Sequence, residues 1–301
     1  MAQNFDPSTP INPETSLADP VDVQVISEPL SNPSNRFGFF LLTSDSDIVE
    51  LTNDVIENYP GGIFALAGDD YVRGSENDEL IYGNSGQDVL LGKAGNDTIR
   101  GGQDFDVIAG GEGNDLLHGN KDNDRLYGND DDDFVRGGQG DDEVVGGEGN
   151  DTMIGDLGVD KLWGGEGEDL FVLRTGTAST PQEIGSETPP EGDLFTALES
   201  VTVDIILDYN PADDIIGLTG GLTADDLILT ERFMVIGDRR DYDPSGPFPL
   251  GQMRTEDFQI ETIQVIVISE ESTGNILGLV RDVGAEDLNF ISVSNQDLAF
   301  G

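Results

Sequence analysis

The sequence predicts an all-β protein built on a right-handed parallel β-roll, with an extended N-terminal arm and cap and a C-terminal antiparallel β-rich domain. Three observations predict it. A nine-residue unit repeats twelve times between residues 65 and 172 without an insertion or a deletion. Each unit combines a glycine-rich turn with one apolar position, which is typical of stacked parallel coils. Alternating strand patterns then return beyond residue 200.

The repeated unit reads G-x-x-G-x-D-x-U-x, where U is a large apolar residue. GNSGQDVLL begins at Gly83, GKAGNDTIR at Gly92 and GGEGNDTMI at Gly146. The U position is apolar in every copy: Val72, Ile81, Leu90, Ile99, Ile108, Leu117, Leu126, Val135, Val144, Met153, Leu162 and Phe171. Alternation along a strand places U inward and its two neighbours outward. Two copies make one coil, so alternate copies stack and the repeats extend over roughly 30 Å.

The sixth position is acidic in every copy and is Asp in all but one, where Glu79 stands. This pattern resembles the RTX (repeats-in-toxin, haemolysin-type) calcium-binding nonapeptide, which forms parallel β-helical coils. The resemblance covers roughly a third of the chain. It implies that calcium lies between the turns of adjacent coils and is held by aspartate carboxylates and backbone oxygens. Calcium takes six to eight such oxygen ligands.

Carried over residue by residue, the resemblance assigns two kinds of metal-site residue. The carboxylates are Asp70, Asp88, Asp97, Asp106, Asp115, Asp124, Asp133, Asp142, Asp151, Asp160 and Asp169. The turn glycines are Gly86, Gly95, Gly113, Gly140, Gly149, Gly158 and Gly167. Glycine suits these turns because it adopts positive φ without steric cost and leaves room for an ion. Five gaps between six turns on each edge give up to about ten Ca²⁺ ions.

The charge of the chain agrees with bound cations. Its 14 Lys and Arg residues face 61 Asp and Glu residues, a formal net charge of -47. Residues 65–172 alone contain 27 acidic and 7 basic residues, a net of -20, which about ten divalent ions would balance. Such a charge disfavours nucleic acid and anionic membranes as partners. The chain has no cysteine, which excludes disulfides and thiolate chemistry.

Some copies depart from the pattern. Glu79 is longer than Asp and follows Asn77, which stands where glycine is expected, so the first gap on its edge is expected to be weak or empty. Asp replaces the second glycine at Asp104, Asp122 and Asp131. Asp tolerates left-handed backbone geometry better than most residues, so we expect these three turns to bind calcium.

The regions around the repeats divide the chain further. Residues 1–35 form a Pro-rich arm in which only VDVQVI, at 21–26, alternates like a strand. This arm is either flexible or an extended segment that adds a strand to the roll or to another subunit. Residues 36–64 are expected to cap the roll that spans 65–172, because terminal repeats of a solenoid need a different sequence. A polar linker or loop follows at 173–200.

Residues 201–301 are expected to form the β-rich domain. Strand patterns occur in VTVDIIL at 201–207, in IIGL and in EDLNFISV. ETIQVIVIS, EESTGN and ILGLVRDV predict a hairpin. LTADDLIL at 222–229 predicts a helical turn with Thr223 as its cap. The resemblance implies that the region also carries a type I secretion signal.

The outward positions of the roll are unusually apolar on both faces. One face carries Leu80, Tyr82, Leu116, Phe134, Ile154, Leu170 and Val172. The other carries Tyr71, Val89, Leu91, Val107, Tyr127, Val145 and Trp163. One explanation is that β-branched and aromatic residues favour strands wherever their side chains point. The other is that flanking segments or other subunits cover these two faces.

The motifs of common catalytic sites are absent from the sequence. It contains no G-x-S-x-G, H-E-x-x-H, P-loop or dinucleotide motif. The single histidine, His118, stands between Arg100 and Arg136 one coil away on either side, and we interpret it as a ladder residue rather than a catalytic or metal-binding one. An acid pair of the glycosidase type in the C-terminal region is a weaker alternative.

Together these features predict a secreted, non-enzymatic calcium-binding protein at the cell surface or in a matrix. Assembly into fibres or layers would use the arm and the apolar faces of the roll. The alternative is a module that binds carbohydrate or protein, or a secreted enzyme with its activity in the C-terminal region. The N-terminus has no basic and apolar segments of a secretion signal, so we expect export by another route than the general pathway. No apolar run approaches the about 20 residues of a membrane span.

Overall fold

The computed structural model describes residues 39–52, 60–174, 203–237, 260–294 and 298. The arm at 1–35 and residues 175–200 of the expected linker lie outside these residues. Within the described ranges every regular element is a β-strand, apart from 3₁₀ turns at Ala224–Asp226 and Ala285–Asp287. No helix in this part of the chain is long and apolar enough to cross a membrane. The predicted all-β class is confirmed.

The described strands, numbered along the chain, form two sheets that face each other across one core. The first sheet consists, in spatial order, of β1 (Phe39–Leu41), β3 (Gly62–Ala67), β5 (Leu80–Ser85), β7 (Thr98–Gln103), β9 (Leu116–Lys121), β11 (Phe134–Gln139), β13 (Thr152–Leu157), β15 (Leu170–Leu173), β17 (Ile215–Leu218) and β21 (Phe290–Ser292). All its neighbouring strands are parallel.

The second sheet begins at the same end of the molecule. It consists, in spatial order, of β2 (Ile48–Glu50), β4 (Tyr71–Arg73), β6 (Val89–Ala94), β8 (Val107–Glu112), β10 (Arg125–Asp130), β12 (Glu143–Glu148), β14 (Lys161–Glu166), β16 (Asp204–Ile206), β20 (Ile276–Arg281), β19 (Ile260–Glu270) and β18 (Leu227–Gly237). Its strands are parallel from β2 to β20, whereas β18, β19 and β20 pair antiparallel. From β1 to β18 the chain thus alternates between the two sheets, as a parallel β-roll requires.

The register follows the nonapeptide. Leu117 pairs with Ile99 on one side and Val135 on the other, two copies away in each direction. All twelve U side chains are fully buried, at 0% exposure, which confirms the predicted inward row. Most strands of the roll are longer than the x-U-x segment of a single unit. They are longer because pairing resumes after the first glycine of the next unit. In β6, for example, Lys93 has φ of +85° and still pairs with Gly111.

The roll continues beyond the repeats at both ends. Val49, Ile206 and Ile216 are each fully buried and each stand two residues after an aspartate, as U does in the repeat. One hydrophobic core runs without interruption from Phe40 to Leu288. The strands on either side of the repeats therefore close the core by adding coils to it.

The C-terminal predictions are largely confirmed. The predicted hairpin is formed by β19 and β20. At the predicted helical turn, the Asp226 carboxylate accepts hydrogen bonds from the N–H and hydroxyl of Thr223, at 2.9 and 2.8 Å. The antiparallel part is confined to β18, β19 and β20, because β16, β17, β20 and β21 extend the parallel sheets of the roll.

The apolar outer faces are partly covered within the chain. Ile154 and Val172 are buried against Val293 and Leu298, which come from the C-terminal region. On the opposite face Leu91 and Tyr127 are 2% and 1% exposed. Part of each outer face is therefore buried within the chain. Less apolar surface remains for contacts between subunits than the sequence suggested.

Candidate calcium sites

The sixth-position aspartates form a ladder along each edge of the roll. One carboxylate oxygen of each, Oδ1, accepts a hydrogen bond from the backbone N–H of the sixth residue one coil earlier. The distances are 2.9 Å from Asp88 N to Asp106 Oδ1 and 2.8 Å from Asp106 N to Asp124 Oδ1. On the other edge Asp97 N lies 2.7 Å from Asp115 Oδ1. These bonds fix every carboxylate at the same point of its turn.

The second carboxylate oxygen, Oδ2, has no hydrogen-bond partner at eleven positions within the described residues. They are Asp70, Asp88, Asp97, Asp106, Asp115, Asp124, Asp133, Asp142, Asp151, Asp160 and Asp169. These residues are at most 3% exposed. Burying a charged oxygen without a hydrogen-bond donor costs free energy of folding. Here that cost recurs from coil to coil along both edges.

The glycine at the first position of each unit leaves space beside this oxygen. A Cβ added at Gly92 would overlap Asp97 Oδ2 and lie 2.5 Å from the carbonyl oxygen of Gly110, in the next coil. A Cβ at Gly83 would meet Asp88 Oδ2 in the same way and lie 2.6 Å from the Gly101 carbonyl oxygen. At these two positions, and in the same way beside Asp106, Asp124, Asp133 and Asp151, the buried Oδ2 faces a small space that also contains a backbone carbonyl oxygen.

The fourth-position glycines serve the geometry of the turn. Gly86, Gly95 and Gly140 have φ of +115°, +120° and +137°, and the other four predicted turn glycines are also in this region. A Cβ at Gly95 would lie 2.4–2.8 Å from the backbone of Asn77 and Asp78 in the coil before it, so glycine is required by space as well as by conformation.

Aspartate replaces this glycine in three turns, and φ stays positive there. Asp104, Asp122 and Asp131 have φ of +72°, +69° and +75°. This confirms the expectation that Asp tolerates the position.

The electrostatics of the ladder disfavour bare carboxylates. Burial is the largest cause, and it raises the pKa of Asp97 and Asp106 to about 8 and that of Asp124 and Asp133 to about 9. The negative charge of neighbouring ladder residues raises these pKa values further, while the backbone N–H donor lowers them. Such groups favour a bound proton or cation.

Glu79 differs from the aspartates. Its carboxylate accepts hydrogen bonds from the backbone N–H of Ser75, at 3.0 Å, and from the Ser75 hydroxyl. Neither Ser75 nor Asn77 has positive φ, so the turn has another shape. The departure noted in the sequence thus has a physical counterpart: this carboxylate is already satisfied by hydrogen-bond donors.

The ladder includes residues that the sequence reasoning missed. Asp47 N lies 2.7 Å from Asp70 Oδ1 at one end. At the other end Asp160 N and Asp169 N donate to Asp204 Oδ1 and Asp214 Oδ1, at 3.4 and 3.1 Å. The sequence signal that could have identified these residues is an aspartate two residues before an apolar residue. Asp47, Asp204 and Asp214 keep this spacing although the glycines of the repeat are absent there. The first-position glycines were also left out of the predicted site, although they recur from Gly74 to Gly164.

His118 lies where the sequence placed it, on an outer face in register with Arg100 and Arg136. Burial, followed by the charge of Arg136, lowers its pKa to about 4. Nearby, Tyr82 stacks on Phe64 at 4.5 Å, and Arg100 lies 5.8 Å above the Tyr82 ring. His118 occupies the ninth position of its unit, whereas the buried ladder oxygens belong to residues at the sixth position.

The donor set fits a hard cation. In the part of the chain that the structure describes, no three His, Cys, Asp or Glu side chains converge on one point. An ion in these turns would instead combine few carboxylates with backbone carbonyl oxygens, a mixture that calcium accepts because its coordination is all-oxygen and flexible. The fold and the repeated space beside Oδ2 define a calcium-binding β-roll.

Comparison with known families supports this class. Residues 63–90, 91–126, 109–144 and 136–171 match the family model of the RTX calcium-binding nonapeptide repeat. The chain therefore carries RTX repeats across residues 63–171, as the sequence pattern predicted. Among curated proteins, none matches the chain significantly.

Proposed function

We propose that this chain is a secreted structural protein whose roll folds when calcium enters its turns. The observation that carries the proposal is the row of eleven buried Oδ2 atoms that have no donor among the described residues. Calcium would supply the positive charge that these oxygens need. The repeat type also favours a structural role over a catalytic one.

The proposed ligands follow from the geometry of each turn. The sixth-position aspartate offers Oδ2, while its Oδ1 remains bonded to the backbone of the coil before it. The first-position glycine of the next coil offers its carbonyl oxygen, as Gly110 does beside Asp97. Without the ion, the buried carboxylates of adjacent coils repel one another and oppose closure of the core. Binding free energy then becomes folding free energy.

Circular dichroism of the full chain tests this proposal. The spectrum in excess EGTA should show less β-structure than the spectrum in calcium, and adding calcium back should restore it. Identical spectra in the two conditions would overturn the proposal. Isothermal titration calorimetry should show several calcium ions bound per chain, on the order of ten.

The location we propose is extracellular, either free or at the cell surface, after type I secretion. A calcium-poor cytosol would leave the acidic repeats unfolded during export, and outside calcium would close the roll. Separating producing cells from their medium and probing both fractions by antibody tests this location; a chain confined to the cytosol contradicts it.

We also propose that the folded protein takes part in a surface or matrix assembly. Support comes from β18, an 11-residue strand at the end of the second sheet, where Ile228 is 46% exposed. Edge strands of this length are templates for pairing with another chain. Electron microscopy in calcium should show fibres or layers, and removal of residues 1–35 tests the contribution of the arm. Dispersed monomers at high calcium would contradict assembly.

A further inference from the structure

The two sheets of the roll differ in charge. Among the described strands of the first sheet, the only acidic residue is Asp156 in β13. The same strands contain Arg100 in β7, Lys121 in β9 and Arg136 in β11. Asp156 is 5% exposed and pairs with both Arg136 and Arg174. The first sheet therefore carries more positive than negative charge, although the chain has a net charge of -47.

The second sheet carries an acidic column on its surface. The third position of the repeat unit is acidic in four successive strands of this sheet, β8, β10, β12 and β14, and all four residues are exposed: Glu112, Asp130, Glu148 and Glu166. Strand pairing places each of them directly beside the next. Like charges directly opposite each other on neighbouring strands are destabilising. The acidic column therefore favours a partner that supplies positive charge.

The cations of the two sheets are placed differently. In the repeats, those of the second sheet pair with two carboxylates outside the acidic column: Arg125 and Lys161 lie 3.0 Å from Glu143, and Arg73 and Lys93 lie 3.5 and 3.4 Å from Glu50. In the first sheet, Lys121 is exposed, and Arg100 lies 5.8 Å above the ring of Tyr82. Arg136 keeps 24% of its side chain exposed. The first sheet thus presents cations at its surface.

The two charged surfaces share one period. Arg100, His118 and Arg136 lie side by side on successive coils of the first sheet. The acidic column of the second sheet also advances by one residue per coil. Both rows therefore repeat at the strand spacing of about 4.8 Å. This common period favours a second copy of the chain as the partner, since another polyanion would match it only by coincidence.

We propose that the surface formed by Arg100, Lys121 and Arg136 in one copy docks onto the acidic column of a second copy. The outer surfaces of the two sheets lie on opposite sides of the core, so each copy keeps one docking surface open after the first contact. Such a heterologous contact continues into a fibre or a layer. This inference rests on the proposed function and names the interface of the proposed assembly. Calcium in the turns would lower the general repulsion between copies.

Sedimentation velocity of the full chain in saturating calcium tests the contact by charge reversal. One variant combines Arg100→Glu with Lys121→Glu, and the other combines Asp130→Lys with Glu148→Lys. In each, the chain concentration needed for association should rise by about tenfold or more, because like charges then face each other. The two variants change net charge in opposite directions, so general repulsion would not weaken both. Mixing them should restore association, because their reversed surfaces are complementary.

The matched control combines Asp225→Lys with Glu271→Lys, the same change of charge at exposed positions outside both surfaces. It should associate at least as well as the unchanged chain. Circular dichroism in calcium checks folding, and where a double variant folds poorly, Lys121→Glu and Glu148→Lys alone repeat the test at exposed positions. If the unchanged chain associates, weakening in neither or only one reversal, or no recovery on mixing, overturns the inference alone. Dispersed unchanged chains at high calcium would instead refute the proposed assembly.

Discussion

Each ladder aspartate has two oxygens with different roles. Oδ1 holds the turn to the coil before it, and Oδ2 points into the space beside the first-position glycine. The residue type follows from both requirements, since Asn would retain an acceptor but remove the charge. Glu79 meets neither of these two requirements in the same way, because Ser75 already donates hydrogen bonds to its carboxylate.

Matched substitutions at Asp97 and Glu79 test this difference. Asp97→Asn should remove one bound calcium ion and raise the calcium concentration needed for folding, because a buried charged ligand is lost. Glu79→Gln should leave the ion count unchanged. Native mass spectrometry and a calcium titration followed by circular dichroism measure both effects. Equal losses from the two variants would show that Glu79 is a ligand after all.

The raised pKa values predict opposite effects of pH with and without calcium. Burial raises the pKa of Asp133 from its ordinary value of 3.8 to about 9, so the folded calcium-free chain binds protons more tightly than the unfolded chain. The stability from these protons is fully present below about pH 4 and is lost as pH rises through the folded-state pKa values of about 6 to 9.

In EGTA, circular dichroism should therefore show more β-structure near pH 5 than near pH 9, a window that spans most of the folded-state pKa values. In calcium titrations the midpoint should move to lower calcium as pH rises, because protons and calcium compete for the same carboxylates. A calcium-free chain whose spectrum is the same at both pH values would contradict the assignment of raised pKa values to the ladder.

At the scale of the strand, stability comes from a single row of inward side chains and from backbone pairing with copies on either side. A second row of hydrogen bonds supports several of the turns. The fifth-position backbone N–H donates to the fifth side chain one coil earlier, as from Asn96 N to Asp78 Oδ1 at 2.8 Å and from Asn114 N to Asn96 Oδ1 at 2.9 Å. This explains why polar residues with side-chain oxygens recur at that position.

The narrow core makes each inward residue sensitive to truncation. Leu117→Ala in β9 should destabilise the calcium-bound protein by about 2–5 kcal/mol, because the side chain is fully buried and its neighbours are held by strand pairing. Leu116→Ala, one residue away and on the outer face, should cost clearly less. Urea unfolding in saturating calcium measures both, and equal costs would contradict the assigned inward and outward rows.

At the scale of the whole molecule, we propose that charge decides when the protein folds. The 14 Lys and Arg residues offset few of the 61 Asp and Glu residues and leave a formal net charge of -47. Exposed ion pairs, such as Arg125 with Glu143 at 3.0 Å, contribute little. Among the described residues, Arg136 and Arg174 pair with the buried Asp156. In the proposed function, divalent cations bound in the turns would remove the repulsion between the buried carboxylates of the ladders.

Magnesium should replace calcium poorly in this role. It demands near-octahedral coordination at about 2.0–2.1 Å and releases its waters reluctantly, whereas turns built from two coils offer a looser set of carbonyl and carboxylate oxygens. At equal concentration, magnesium should restore less β-structure to the EGTA-treated chain than calcium does. Equal recovery by circular dichroism would indicate that general charge neutralisation is sufficient.

The sequence by itself determined the repeat, the inward row and the acidic edges. It could do so because the period and the residue type at each position are local properties, and they recur in every copy. It also identified the C-terminal hairpin and the turn at Thr223. Tertiary structure decided the rest. Only stacking shows that Oδ1 is bonded while Oδ2 is not, and that Ser75 satisfies Glu79. Only the fold brings Asp204 beside Asp160, 44 residues earlier, since the intervening chain gives no spacing from which that contact could be read.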